Sequence, residues 1–316
     1  MRRRITGLIL FLLLAAVACF LLYPTVSDQL SRRRDAEIMS VYREKTAAMD
    51  EGQRAELLDG AKAWNESLES IHTEDVFSSG TSRTTRDYQN RMNVHNGVIA
   101  ELVIPGIGVS LPVYHLSSET PAERYLVHVD TSSLPSDSSG ENIVLAGPGV
   151  LRAEGIPGDL GLTDGRMLED ADRLVPGDLL ILNVLDRTMV YRVYGVQVRS
   201  SAGIQGVDLT PEEGEERLTL ITLRKDQRLL VQTGRIPVGE ARTLLAETDY
   251  VTFAADWQNV LLLGLPVLLA GLLILCIIVK IRGMNYRLPG EGKKATPKAR
   301  ETMKQTVSEN DKGEET

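Results

Sequence analysis

The sequence predicts a mostly β protein, with a β-barrel domain that follows a helical hairpin and a transmembrane helix at each end. Between residues 98 and 232, seven short runs of β-branched or alternating apolar residues are bounded by Gly, Pro, Asn or Asp. Strand and helix patterns do not alternate there, which favours a barrel over a doubly wound sheet. Residues 27–71 are rich in Ala, Glu, Arg and Leu and contain no proline, as is typical of helices. Residues 5–23 and 260–279 are uncharged over roughly the 20 residues that a membrane-spanning helix needs.

The distribution of Lys and Arg predicts how the two apolar runs cross the membrane. Arg2, Arg3 and Arg4 precede the first run, and a segment rich in Lys and Arg follows the second. The positive-inside rule then gives spans at 5–23 and 258–280 and places both termini in the cytoplasm. The expected location is the cell membrane, with two spans and the main domain outside the cell. Arg32 to Arg34 lie just outside the first span and argue weakly against this topology.

A cleavable signal peptide is the alternative interpretation of residues 5–23. Ala16-Val17-Ala18 is a passable small-residue cleavage site. The apolar run continues past that site through Phe20–Tyr23, which favours an uncleaved anchor. The same residues disfavour lipid attachment at Cys19.

The part between the two spans is acidic and contains no cysteine. The whole chain has a formal net charge of −8, and the Lys and Arg at both ends make the exterior part more acidic still. This balance argues against nucleic acid or an anionic lipid surface as a partner. Cys19 and Cys276 both lie in the apolar runs, so the exterior part has no disulfide, thiolate metal ligand or thiol nucleophile. No cofactor is expected, and such a domain is typical of a bacterial surface.

The exterior part begins with a predicted helical segment at 24–72. Asp50 and Gln53 form the pattern of an N-cap and its capping-box partner. This pattern predicts a helix break near Met49 and a second helix that extends to about Glu69. The resulting hairpin would space the domain from the membrane.

The predicted domains that follow are a lid-like loop at 73–96, a barrel at 97–240 and a linker at 241–257. Glu74–Arg86 is rich in Ser, Thr and Gly, which predicts an exposed loop. Residues 1–4 and 281–316 are cytoplasmic in this scheme. The charged, low-complexity composition of the tail predicts disorder.

Seven strands are predicted for the barrel: Val98–Ile104, Gly108–Tyr114, Asn142–Ala146, Asp178–Val184, Thr188–Val198, Arg217–Leu223 and Arg228–Gln232. Asp186 and Arg187 form a short hairpin connection between two of them. Met167–Leu174 is predicted to form one short helix. The barrel is therefore expected to be mixed or antiparallel.

Several sequence blocks occur in the order that they have in one known family. They are Gly97–Ile99, Ile104–Val109, Leu111–His115, His128, Thr131–Pro135, Gly140–Asn142 and Leu174–Asp178. In these blocks, in the paired apolar runs and in the helical segment, the chain resembles the class C, pilin-polymerising sortases. The resemblance implies a sortase-type β-barrel for the exterior domain.

The resemblance also implies where catalytic residues should lie. Such sortases use a Cys thiolate as nucleophile, a His for proton transfer and an Arg that steadies the substrate or the oxyanion. The family's Cys closes a Thr-Leu-x-Thr-Cys strand, and the corresponding strand here ends in Leu223. Pro148 occupies the place of the His, whereas Arg228 keeps the Arg as a catalytic remnant. Two of the three catalytic positions are substituted.

Neither substituted side chain can perform the family's chemistry. Leu223 has no nucleophilic atom, and Pro148 has neither a titratable group nor a backbone donor. Thr222 is a weak nucleophile that would need an adjacent base, and His128 lies on an earlier segment. In a comparable triad, loss of the nucleophile costs about 10⁶ in rate.

Asp75-Val76-Phe77 resembles the class C lid, in which an Asp and an aromatic residue flank a proline and cover the catalytic cleft. Valine replaces that proline here, and a plain loop is the alternative. We predict that Asp75, Phe77 and Thr222 are binding residues. The expected partner is a pilin, a sorting-signal peptide or an active sortase.

Three functional hypotheses follow from these residues. The first is an inactive pseudo-sortase that binds or scaffolds components of pilus or cell-wall protein assembly. The second is an active transpeptidase with a nucleophile other than Cys. The third is a structural surface protein, in which Leu223 would fill the site and leave no groove.

Other candidate sites are weak. His72, Glu74 and Asp75 lack convincing metal-ligand spacing. Asp159–Gly165 lacks the alternating oxygen ligands of a calcium loop. Gly147–Gly161 has several glycines but no Lys-Ser or Lys-Thr, so it does not form a phosphate cradle. No metal site is predicted.

Overall fold

The computed structural model describes residues 2–68, 71, 75–77, 85–204, 207–212, 214–247 and 271. The chain forms two compact units, residues 1–18 with 264–316 and residues 19–263. The tail at 281–316 and, apart from residue 271, the second predicted span at 258–280 lie outside the described residues. Among the described residues, none of the helices combines the length and apolar character that crossing a membrane requires. Both spans stay predictions.

The helical hairpin consists of α1, Arg2–Ala48, and α2, Glu51–Glu66. Between them, the Gln53 backbone N–H donates to Asp50 Oδ1 at 2.8 Å, and the Asp50 N–H donates to Gln53 Oε1 at 3.0 Å. This reciprocal capping box satisfies two backbone donors that the start of a helix leaves unpaired. The predicted break and hairpin are confirmed, although α2 ends before the predicted Glu69.

Ten strands follow the hairpin: β1 Val98–Ile104, β2 Val109–His115, β3 Leu126–His128, β4 Asn142–Pro148, β5 Val150–Arg152, β6 Thr163–Arg166, β7 Leu179–Val184, β8 Arg187–Ser200, β9 Arg217–Arg224 and β10 Gln227–Ile236. Eight of them close into a barrel in the order β1-β2-β3-β4-β9-β10-β8-β7, and β5 pairs with β6 in a separate two-stranded sheet. The pairs β2–β3 and β4–β9 are parallel, and the other barrel pairs are antiparallel. The mostly β barrel is confirmed.

Shorter helices connect the strands: α3 Arg86–Asn90, α4 Gly155–Asp159, α5 Ser201–Ile204 and α6 Val238–Glu247. The short helix predicted within 167–174 is a 3₁₀ turn at Glu169–Arg173. The region predicted as a linker begins with the second half of α6. Ala241 of this helix is buried against Leu179, Val190 and Ile236 on the outside of the barrel.

The helical hairpin shares its core with the barrel. Met39 and Tyr42 of α1 and Leu58 and Ala61 of α2 are buried in the same apolar cluster as the strand residues. The Tyr42 hydroxyl donates to the Ile99 carbonyl at 2.8 Å and accepts from the Leu185 N–H at 3.0 Å. The hairpin is therefore part of the folded domain, beyond the spacer role expected from its composition.

Candidate functional site

The three positions that the resemblance assigns to catalytic residues meet at one end of neighbouring strands. In the parallel pair β4–β9, Pro148 lies opposite Leu223, and in the antiparallel pair β9–β10, Leu223 lies opposite Arg228. A two-residue turn at Lys225 and Asp226 joins β9 to β10. Lys225 has φ +54°, the positive value that short hairpin turns require. The tight turn is what brings Arg228 back opposite Leu223.

Gly149 allows the chain to approach Leu223 closely. Its backbone N–H donates to the Leu223 carbonyl at 3.2 Å. A Cβ at this position would lie 2.9 Å from that carbonyl oxygen, closer than real Cβ atoms come. The junction of β4 and β9 therefore continues past Pro148 as a hydrogen-bonded pair, and the Leu223 side chain is half-buried beside it.

A groove of about 830 Å³ opens at this junction. Its walls include Pro148, Thr222 and Leu223, the hairpin formed by β5 and β6, and the charged 3₁₀ turn at Glu169–Arg173. The side chain of Leu223 lines the groove without closing it. The space that a ligand would need is present.

Thr222 contributes a buried hydroxyl to the groove wall. The residue is 2 % exposed, and its Oγ1 has no hydrogen-bond partner among the residues that the structure describes. A buried polar atom without a partner costs about 1–3 kcal/mol. Among the described residues, no base lies within hydrogen-bond distance of Oγ1.

The lid-like segment, Asp75–Phe77, covers Arg228 and binds it. Its Nε lies 2.9 Å from Asp75 Oδ1 and its Nη2 lies 3.0 Å from Asp75 Oδ2, so the ion pair is bidentate. The two side chains are only 6 % and 5 % exposed. The Arg228 guanidinium carbon also lies 5.1 Å from the centre of the Phe77 ring, in cation–π geometry. The structure thus brings Asp75 and Phe77 to Arg228, on the side of the barrel where the site lies.

The prediction of an exposed loop at Glu74–Arg86 is wrong for Asp75 and Val76, because both residues are buried. Residues 72–74 and 78–84 lie outside the described residues, so the rest of the lid-like loop stays a prediction. Ser201 at the start of α5 also donates a hydrogen bond to Asp75. Sequence reasoning missed Ser201, since a lone Ser after a strand carries no signal of its role.

The buried histidines lie in a different cluster. His128 Nδ1 lies 2.8 Å from the Tyr88 hydroxyl, and His128 Nε2 lies 2.8 Å from the Ser133 carbonyl oxygen. His115 packs edge-on against Tyr88. Burial lowers the pKa of His128 to about 3 and that of His115 to about 4. Both rings are neutral at pH 7 and hold the core together.

The structure explains one of the weak candidate binding sites that the sequence suggested, and another lies outside the described residues. The Asp164 carboxylate accepts from the hydroxyls of Tyr23 and Ser27, so it joins α1 to the β5–β6 hairpin. His72 and Glu74 lie outside the described residues. Within the described ranges, no group of three or more His, Cys, Asp or Glu could hold a metal ion.

Comparisons with known proteins agree with this geometry. The family model of the sortase domain matches residues 102–235. Sortase C-1 of Streptococcus pneumoniae is 26% identical with a TM-score of 0.53, over 64% of this chain and 98% of that chain. Sortase C1 of Streptococcus agalactiae is 25% identical with a TM-score of 0.50, also over 64% of this chain and 98% of that chain.

A further structure of Streptococcus pneumoniae sortase C shares the fold, at 24% identity and a TM-score of 0.51, over 64% of this chain and 97% of that chain. It was solved for its catalysis and its pilin substrate specificity. No curated protein matches the chain. The matching domain spans β1 to β10 and contains the junction of Leu223 and Arg228. Residues 102–235 thus match the sortase domain, and the chain is similar to class C sortases in fold; by this resemblance, Leu223 and Pro148 would stand at the places of the nucleophile and the base.

Proposed function

We propose that this protein is a catalytically inactive, class C-like sortase that binds a pilin, a sorting-signal peptide or an active sortase at the cell surface. Spans at 5–23 and 258–280 anchor it in the cell membrane, with both termini in the cytoplasm. Its role is to bind or scaffold components of pilus or cell-wall protein assembly. The observation that carries the proposal is the strand register that sets Pro148 and Leu223 beside an open groove.

Chemistry supports the inactive part of the proposal. Acyl transfer in this family needs a thiolate at the position of Leu223 and a proton carrier at that of Pro148. Neither side chain has an atom for the task. Arg228, which would steady an oxyanion, is bound instead to Asp75 in a buried ion pair.

The groove supports the binding part of the proposal. Its volume of about 830 Å³ is within the range of ligand sites, which runs from about 300 to 1,000 Å³. The Thr222 hydroxyl offers an unused hydrogen-bonding atom in its wall. A pilin is the substrate class of the related Streptococcus pneumoniae sortase C. A purely structural surface protein would not need this space.

The Asp75–Phe77 segment supplies a means of control. It occupies Arg228 with a carboxylate and an aromatic ring. A ligand that uses Arg228 must therefore first displace the segment. Such competition lowers the apparent affinity by the fraction of molecules in which Arg228 is accessible.

The test is peptide binding to the full-length protein in detergent, with covalent attachment measured in the same sample. A fluorescent pilin sorting-signal peptide should give saturable anisotropy, and intact-mass spectrometry should find no acyl adduct. Leu223→Trp should fill the groove and abolish binding, while Tyr194→Phe, at an exposed site on β8, should leave it unchanged. Circular dichroism checks that the variants are folded.

The alternative functions give different results in this experiment. An adduct that maps to Thr222 would establish an active enzyme with a nucleophile other than Cys. Binding that survives Leu223→Trp would place the ligand elsewhere on the protein. If neither the peptide nor an active sortase binds, the protein is a structural surface component and the proposal fails.

A further inference from the structure

The hairpin formed by β5 and β6 ends in a turn that places two large apolar side chains in solvent. Ile156 is 75% exposed and Leu160 is 61% exposed. They are four residues apart across the helix α4, so they lie on the same face of the turn. We call residues 155–161 the hairpin tip. Apolar side chains that point together into solvent indicate a surface that is covered by something else.

The backbone of the hairpin tip is closed on itself. The N–H groups of Leu160, Gly161 and Leu162 donate to carbonyl oxygens within the tip, at 3.1, 2.9 and 2.9 Å. Gly158 lies so close to the Ala153 carbonyl that a Cβ would be 2.0 Å from its oxygen. The glycine thus allows a compact turn in which these three amides are paired while its apolar side chains are exposed. That combination suits a nonpolar medium, where an unpaired amide is costly.

Contacts with α1 hold the hairpin beside the end of the uncharged run. The Arg166 N–H donates to Asp28 Oδ1 at 2.8 Å. Two residues closer to the tip, the Asp164 carboxylate accepts from Ser27 at 3.0 Å and from Tyr23 at 2.7 Å. The Asp164 carbonyl oxygen also accepts from the Ser31 hydroxyl at 3.1 Å, so Asp164 contacts α1 from Ser31 to Tyr23.

The hairpin tip ends three residues before Asp164, which contacts α1 at Tyr23, the last residue of the uncharged run. There α1 exposes Phe20 by 44% and Leu21 by 64%. These residues close the uncharged run 5–23. Asp164 thus joins the hairpin that carries the exposed apolar tip to the end of the uncharged run of α1.

We propose that the hairpin tip inserts Ile156 and Leu160 into the surface of the lipid bilayer that anchors the chain. This inference rests on the membrane anchoring proposed above. The tip carries a single charged residue, Asp159, so apolar contact with lipid drives the insertion and an anionic headgroup is not needed. A protein partner on the tip is the rival occupant, but the contact of the hairpin with the end of the uncharged run favours lipid.

Insertion of the hairpin tip into the bilayer would restrict which ligands can reach the groove. Val150, Arg152 and Leu162 belong to the hairpin and also line the groove. With the tip in the bilayer, this wall of the groove stands at the membrane surface. The ligand is then a polypeptide segment that is itself held close to the membrane, rather than a peptide far from it.

The experiment uses the full chain in phosphatidylcholine liposomes, with Cys19→Ser and Cys276→Ser. Single spin labels are placed with Ile156→Cys, Leu160→Cys and, as a control, Glu44→Cys. Glu44 is exposed on α1, about 30 Å from Tyr23 at a rise of ~1.5 Å per residue. Labels at 156 and 160 should show a severalfold higher ratio of collisions with oxygen to collisions with a water-soluble nickel chelate than the label at 44.

Carbonate extraction of the same liposomes separates the possible failures. Protein that stays with the lipid while all three labels have the same ratio overturns the tip proposal alone. Protein that is released overturns the anchoring and, with it, the tip proposal. As a variant that needs no label, Ile156→Trp should be quenched by brominated acyl chains, and lack of quenching would contradict insertion. Added sodium chloride should leave both readouts unchanged, since the contact is apolar.

Discussion

Thr222 should destabilise the folded protein, because its buried hydroxyl has no hydrogen-bond partner among the described residues. Thr222→Val keeps the shape of the side chain and removes the unpaired hydroxyl. We therefore expect the free energy of unfolding to rise by about 1–3 kcal/mol. Urea denaturation followed by circular dichroism measures the change. The same substitution should weaken peptide binding, because the ligand loses its hydrogen-bonding atom in the groove wall.

Thr219 provides the matched control for this prediction. It lies on the same strand and is equally buried, but its Oγ1 donates to Asn142 Oδ1 at 3.1 Å. Thr219→Val should lower the free energy of unfolding by about 1 kcal/mol, since it removes a hydrogen bond that is made. If the two substitutions change stability in the same direction, the unpaired state of Thr222 is not what matters.

Glu141 should make stability depend on pH. The residue is 4% exposed, and burial raises the pKa of its carboxyl from 4.5 to about 7, against hydrogen bonds from Ser136, Ser138 and Asn65. A raised pKa means that the folded state holds the proton more tightly than the unfolded state. The stabilisation is complete below about pH 4.5 and is lost as the pH rises toward 7.

Glu141→Gln removes this titration and keeps an oxygen acceptor. Relative to the variant, the free energy of unfolding of the natural protein should fall by up to about 3 kcal/mol between pH 4.5 and 7.5. Urea denaturation at several pH values measures the difference. The buried histidines, whose pKa values are lowered, change the free energy of unfolding with pH in the opposite direction. Because they are present in both proteins, their effect cancels in this difference. A difference that stays constant over this range would contradict the prediction.

At the scale of elements, the ion pair between Asp75 and Arg228 is one of the contacts that hold the lid-like segment on the barrel, beside the burial of Val76 in the core. Asp75→Asn removes the charge that Arg228 pairs with and keeps the size of the side chain. We expect faster hydrogen exchange of the Asp75–Phe77 amides and tighter peptide binding, since the segment then competes less well for Arg228. Hydrogen-exchange mass spectrometry and fluorescence anisotropy measure the two effects.

Ser201→Ala is the graded control for this experiment. It removes one hydrogen bond to Asp75 and leaves the ion pair in place. Both effects should therefore have the same sign as those of Asp75→Asn and be smaller. Equal effects of the two variants, or weaker peptide binding by Asp75→Asn, would count against a lid that competes with the ligand.

The long strands and the capping box could be predicted because their signals are local. Seven apolar runs each became a barrel strand, and β1 has the predicted ends. β3 was missed because its three residues are too short to show alternation. β6 reads Thr-Asp-Gly-Arg, which has no apolar pattern, and it is held by polar contacts with α1. Such contacts between segments that are distant in the chain cannot be recognised from the local sequence pattern.

The same reasoning separates the parts of the site that were predicted from those that were not. The resemblance to a motif assigned Leu223, Pro148 and Arg228 to one site, and the strand register makes them neighbours, while their role stays a prediction. The burial of Asp75 was missed, because its partner is 153 residues away in the chain. A groove was expected from the resemblance, but its walls could not be predicted, since the β5–β6 hairpin and a charged turn build them.

At the scale of the whole molecule, the helical hairpin and the barrel should unfold together. Tyr42→Phe leaves the Ile99 carbonyl and the Leu185 N–H without their partner hydroxyl, which should cost about 1–3 kcal/mol. Trp64 fluorescence reports on α2 in a Trp257→Phe background, and far-ultraviolet circular dichroism reports on the barrel. Both urea transitions should shift to lower concentration by the same amount.

Tyr194→Phe is the control, because Tyr194 is 49% exposed on β8. It should change neither transition. If Tyr42→Phe shifts only the fluorescence transition, α2 unfolds separately from the barrel. The shared core cluster would then not act as one cooperative unit.

The closed ladder of the barrel has a consequence for how molecules of this protein meet. Each of its eight strands has a hydrogen-bonded neighbour on both sides, so none of these eight presents a free edge. Outside the barrel, Asp28 of α1 accepts a hydrogen bond from the Arg166 N–H of β6. Growth of a sheet from one molecule to the next, the usual route to aggregation, finds no start on the barrel. Concentrated solutions of the folded domain should therefore stay free of thioflavin-positive fibres until the barrel itself opens.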